Sequence, residues 1–312
     1  MNIISYFVLG AAVGSLLAAK KIGNKALIFG GLCAILPSLD HLIALLYDEP
    51  DSLYINGGVS HSIVFCVLVA PMLGWLLHKF ITTELSIIQW SKLAFLTMMS
   101  HCAFDVLKIR GYGLLEPFVH KRFALSIIAD NDILISTSLL LAFIFAMILK
   151  DNKQKAMISW FGMFLLVVLV SFTFLNKLSV QSEFEQRLND QDVRYSRAEL
   201  FPVSGALFLW NCIAQDRNGF WMCYQSNLST NNFEYCLSLR NDYYLFEQEK
   251  NPKIKRLKAY TRYFYAIEPK TENSVVLHDL RYARRGFKQK DPYVSSYLIE
   301  QKGKDCTIEI VK

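Results

Sequence analysis

Hydrophobic and polar positions divide the chain into two parts. Up to about Asn176, long apolar runs alternate with short polar stretches, and beyond it the sequence is polar, aromatic and turn-rich. A membrane span needs roughly 20 mostly apolar residues. Six stretches approach that length: Ile3–Ala19, Ala26–Tyr47, Ser62–Leu77, Leu85–Leu107, Ile133–Leu149 and Ala156–Leu175. The first lacks a basic start, is followed by Lys20-Lys21 and precedes further spans, so it reads as a retained helix rather than a signal peptide. The pattern predicts a membrane all-α bundle of about six spans over residues 1–175. A soluble, mainly antiparallel β domain is predicted for residues 176–312.

In the second part, Leu207–Ile213 and Phe220–Tyr224 flank Asp216-Arg217-Asn218-Gly219, a turn of the kind that closes a hairpin. Aromatic runs at Tyr243–Phe246, Tyr260–Tyr265 and Tyr293–Leu298, with Thr307–Val311, extend the sheet. The lysine-rich stretch Lys250–Lys258 reads as a guarded edge strand. Cys212, Cys223, Cys236 and Cys306 lack metal-like spacing and would pair only in an oxidising compartment.

Composition agrees with the pattern. The 312 residues are 53% hydrophobic and 19% charged, too apolar for an ordinary soluble protein. A net charge of +6 suits contact with anionic lipid and argues against a nucleic-acid binder. Basic residues set an orientation. Lys20, Lys21, Lys25, Lys79, Lys92, Lys150, Lys153 and Lys155 fall on one side; Lys108, Arg110, Lys121 and Arg122 fall on the other. The connection after the second span, Asp48-Glu49-Pro50-Asp51, has no basic residue. The positive-inside rule then puts the chain in a bacterial cytoplasmic membrane, multi-pass, with its N-terminus and C-terminal domain outside.

Polar residues within the apolar runs carry the chemistry, because Asp and His are costly in hydrocarbon and normally face partners in a bundle interior. Asp40 and His41 interrupt the second run, His61 opens the third, and His101 and Asp105 share a helix face in the fourth. A single such residue is commonly a packing or helix-pairing group. Here three segments place five of them at one depth, near the outer surface. Mixed imidazole and carboxylate donors suit Zn²⁺ or a similar divalent ion, better than Mg²⁺ or Ca²⁺. Asp130 and Asp132, before the fifth run, are further candidate ligands. His78 and His120 read as interfacial, and Cys33, Cys66 and Cys102 as small buried hydrophobes.

Pro37-x-x-Asp40-His41, Gly58-x-Ser60-His61-Ser62, and His101-x-x-x-Asp105 with Gly111 and Pro117-Phe118 in register resemble the YdjM-type inner-membrane metal-dependent hydrolase family. The resemblance covers roughly residues 1–145. Phe201-Pro202 with Trp210, and Asp279-Leu280-Arg281-Tyr282, are similar to the C-terminal extension of longer members. It implies a divalent-metal hydrolase built on helices, with metal on Asp40, His41, His61, His101 and Asp105, and His101 and Asp105 at the catalytic centre. A more distant analogy to zinc phospholipases points to a phospholipid or other phosphate ester, with Arg110, Lys121 and Arg122 nearby. Ser38, Asn56 and Gly57 depart from the family pattern, where an Asp, a His and an Arg are usual. The departures keep two other readings open: a metal-ion permease or sensor, and a non-catalytic membrane protein with a remnant site. Neither the oligomeric state nor the substrate is specified by the sequence.

Overall fold

In the computed structural model, residues 3–130, 132–206, 208–217, 219–227, 233–240 (backbone only), 251–271, 273–285, 291–302 and 305–311 are described. The chain forms two compact units, Met1–Ile43 with Ile55–Phe172, and Ala44–Tyr54 with Thr173–Lys312.

The first unit is helical. It contains α1 (Ile3–Ile22), α2 (Asn24–Ile35), α3 (Asp40–Ala44), α5 (Ile63–Phe80), α6 (Ile87–Val106), α7 (Ile133–Ile148) and the first half of α8 (Asn152–Asp190). A short α4 (Asp51–Ile55) lies between α3 and α5. Among the described residues, four stretches are long and apolar enough to cross a membrane: Ile3–Ile22, Asn24–Ala44, Ile63–Phe80 and Asn152–Asp190. The expected count of six is therefore not supported. Helix α7 has 16 residues, about 24 Å of helix against a hydrocarbon core of about 30 Å. Helix α6 is long enough, but Gln89, Lys92, Ser100, His101 and Asp105 dilute its apolar surface. It packs against α1, α2 and α5, burying Trp90, Ala94, Met98 and Cys102. An enclosed helix carries polar groups that a lipid-facing helix cannot.

Helices α1 and α2 approach very closely. A Cβ at Gly10 would overlap Ala34 and lie 2.5 Å from the Gly30 carbonyl oxygen, so small residues are required at this crossing. Helix α5 begins where Ser62 accepts from the Phe65 N–H, and α6 begins with a capping box of Ser86 and Gln89.

The second unit has two antiparallel four-stranded meanders. The first comprises β1 (Arg197–Pro202), β2 (Trp210–Gln215), β3 (Gly219–Gln225) and β4 (Phe233–Arg240); the second comprises β5 (Tyr265–Thr271), β6 (Ser274–Asp279), β7 (Ser296–Lys302) and β8 (Asp305–Val311). Val180, Phe184 and Leu188, in the polar second half of α8, pack against Leu200, Trp210, Cys212 and Ala214 of the first sheet. The expected β2–β3 hairpin is present, with Cys212 opposite Cys223 as free thiols. Tyr243–Phe246 and the side chain of Cys236 lie outside the described residues.

The lysine-rich stretch expected as an edge strand is instead mostly a helix, α9 (Pro252–Tyr260). Asn251 caps it through the Lys253 N–H, Pro252 occupies its first turn, and Ile254 and Leu257 are buried three apart. Its apolar face packs on Val275, Leu277, Tyr297 and Ile299 of the second sheet. Tyr260 thus ends a helix, and the strand expected from Tyr260 begins only at Tyr265. Arg281 and Asp279 form a fully buried ion pair at 2.6 Å. That pairing gives the Asp-Leu-Arg-Tyr segment a structural role.

Candidate metal centre

Two elements of the helical unit bring the centre together. His61 ends a short 3-10 turn, Val59–His61, just before α5, whereas His101 and Asp105 lie four apart on α6. All three are buried, with 3%, 0% and 0% of their surface exposed. Asp105 Oδ2 lies 2.9 Å from His101 Nε2 and 3.2 Å from His61 Nε2, and the two Nε2 atoms are 3.2 Å apart. These three atoms lie close enough together to hold one metal ion.

Groups behind each ligand decide which atoms carry protons. His101 Nδ1 is 2.6 Å from the Ala34 carbonyl oxygen, which can only accept, so Nδ1 holds the proton and Nε2 of the neutral ring is bare. His61 Nδ1 lies 3.1 Å from Asp40 Oδ2, which fixes the same tautomer. Asp40 Oδ2 also accepts from the Gly57 N–H at 2.7 Å and the Ser60 hydroxyl at 2.6 Å. Asp105 Oδ1 accepts from Lys108 Nζ at 2.5 Å and from the Tyr6 hydroxyl, while Tyr6 stacks on His101 with centroids 3.7 Å apart. Asp105 Oδ2 is buried without a hydrogen-bond partner. With both rings neutral, two bare imidazole nitrogens and one carboxylate oxygen face each other at about 3 Å, an arrangement of converging lone pairs that a cation relieves. The donor set fits a divalent metal.

The other expected ligands occupy different places. Asp40 stands behind His61 as its hydrogen-bond acceptor. His41 is exposed, with Nδ1 2.9 Å from Asn56 Nδ2. Asp132 caps α7 through the Ile135 N–H, and Asp130 is not within the three-residue cluster. Arg122 Nη1 donates to the carbonyl oxygens of Asn56 and Gly111, and Lys121 is exposed. Gly57 has φ +78, and a Cβ there would come within 2.7 Å of the Tyr112 ring. Glycine at position 57 thus permits close approach of Tyr112.

Sequence reasoning missed two contributors. Tyr6 is one tyrosine in an apolar run and carries no signal there. Lys108 follows Asp105 by three residues, a spacing that offered an ion pair, but it was read only as an orientation charge.

Apolar helices of spanning length around a buried His/Asp cluster define a helical membrane protein with a candidate metal centre. The chain belongs to the YdjM inner membrane protein family, whose model matches residues 1–178. Neither a search of curated proteins nor a search of solved structures returns a match.

Proposed function

We propose that the protein is a membrane-embedded, divalent-metal-dependent hydrolase, with zinc as the metal and a phospholipid or other phosphate ester as substrate. One observation carries the reading: His61 Nε2, His101 Nε2 and Asp105 Oδ2 converge with their outward atoms already fixed by protein partners. Such a metal acidifies a water or polarises a phosphoryl oxygen at neutral pH. The chain's own residues hold that chemistry in place. Ala34 and Asp40 orient the two rings, Lys108 and Tyr6 bind one carboxylate oxygen so that the other faces inward, and the buried setting restricts water.

The ligands form one closed cluster instead of a file along the helices, which favours a fixed centre over a permeation pathway. The test is metal analysis of the purified protein under metal-replete conditions, beside His101→Ala and Asp105→Ala, with a phosphoesterase screen. One metal per chain, lost in both variants, together with turnover that needs the metal supports the reading. Absence of bound metal in the wild type refutes it; metal without turnover on phosphate esters refutes the hydrolase assignment and leaves a sensor or a remnant site.

A further inference from the structure

The connection between α3 and α5 belongs to two structures at once. Its ends carry the metal centre's supports: Asp40 stands four residues before Ala44, Gly57 three residues after Tyr54, and the Gly57 N–H donates to Asp40 at 2.7 Å. Its middle, Ala44–Tyr54, is part of the C-terminal unit. Within that unit Leu53 is 5% exposed and joins the core made by Ile254, Leu257 and Tyr260 of α9 and the second sheet. The Tyr54 hydroxyl donates to the Arg256 carbonyl oxygen at 3.0 Å, the Tyr54 and Tyr260 rings are 6.2 Å apart, and Arg256 pairs with Asp51. The family match ends at residue 178, so α9 and the second sheet lie in the extension.

We infer that the C-terminal domain positions the metal centre by holding this connection, with Leu53 and Tyr54 as positioning residues. The inference rests on the proposed function. A connection gripped at Leu53 loses conformational freedom before the Asp40–Gly57 closure forms, so the closure, and with it the orientation of His61, costs less. A loosened grip spreads the Asp40–His61 geometry over several arrangements and weakens the metal. Linkage makes the effect reciprocal: metal binding must also tighten the grip.

Two measurements on the full chain test this. Zinc titration of Leu53→Ala, Leu257→Ala and the double variant should each show about tenfold weaker binding. The double should be no weaker than either single, because both loosen the same grip. Cobalt substituted for zinc should show an altered visible spectrum in all three. Hydrogen exchange of the wild type, which needs no variant, should show slower exchange over residues 252–260 when zinc is added. Wild-type zinc affinity and cobalt spectrum in the single variants, additive losses, or α9 exchange indifferent to bound zinc would overturn the inference while the metal centre stands. A wild type that binds no zinc refutes the proposed function, and this inference with it.

Discussion

Asp105 divides its two oxygens between different tasks. Oδ1 is occupied by Lys108 and Tyr6, and Oδ2 faces the histidines. Removing Lys108 leaves a carboxylate at 0% exposure without its counter-charge, a loss of about 3–5 kcal/mol for a buried pair broken on one side. A divalent ion at Oδ2 supplies part of the missing charge. Lys108→Met should therefore melt well below wild type when metal-free, and zinc should raise its Tm by more than it raises that of the wild type. An equal zinc-induced rise would mean that Asp105 does not bind the metal. Asp40 gives a second test. As the acceptor behind His61 Nδ1 it orients a ligand, so Asp40→Asn should weaken zinc by about 10–100-fold, whereas Asp105→Asn should abolish binding. Equal losses in a zinc titration would make Asp40 a ligand itself. His61, His101 and Asp105 were legible from sequence because charge in an apolar run is conspicuous. The distinction between Asp105 and Asp40 was not, since both are buried aspartates near histidines and only geometry separates them.

At the scale of elements, the metal centre depends on the α1–α2 crossing, which supplies none of its ligands. Ala34 fixes the His101 tautomer through its carbonyl, and Gly10 of α1 lies directly against Ala34. Adding a methyl at Gly10 forces α2 outward, at a cost of about 1–3 kcal/mol for an overpacked contact, and moves the carbonyl off His101. Gly10→Ala should lower zinc affinity by about tenfold or more, whereas Gly205→Ala, where a Cβ would meet nothing within 4 Å, should leave it unchanged. Zinc titrations of the two variants side by side decide it. Element type was legible wherever one period dominated, as in α1, α5 and the β2–β3 hairpin. It failed at Lys250–Lys258, where five basic residues hid the Ile254/Leu257 face and the Asn251-Pro252 start was the better signal. For α6 the helix itself was legible from Leu85–Leu107, and only its place among the candidate spans was not supported.

For the whole molecule, sidedness is a prediction that rests on the charge pattern and on an even number of spans. With four spans or six the number is even, so an N-terminus outside would put the connection after the second span and the end of α8 outside as well. Ala44–Tyr54 belongs to the same compact unit as Thr173–Lys312, so the two are expected on one side of the membrane. If six spans cross, four basic residues on the outer side oppose this orientation; if four cross, the same residues lie inside. One of them, Lys108, is buried on Asp105, and Arg122 is partly buried with its Nη1 on two backbone carbonyl oxygens, so neither acts as a free loop charge that holds its connection inside. A reporter that is active only outside the cytoplasmic membrane should therefore be active when fused after Lys312 and when inserted after Tyr47, and silent when inserted after Lys21. Activity after Lys21 alone would reverse the orientation but keep the two domains together. Activity after Tyr47 without activity after Lys312 would separate them, and the packing of Leu53 on α9 could not then exist in the membrane.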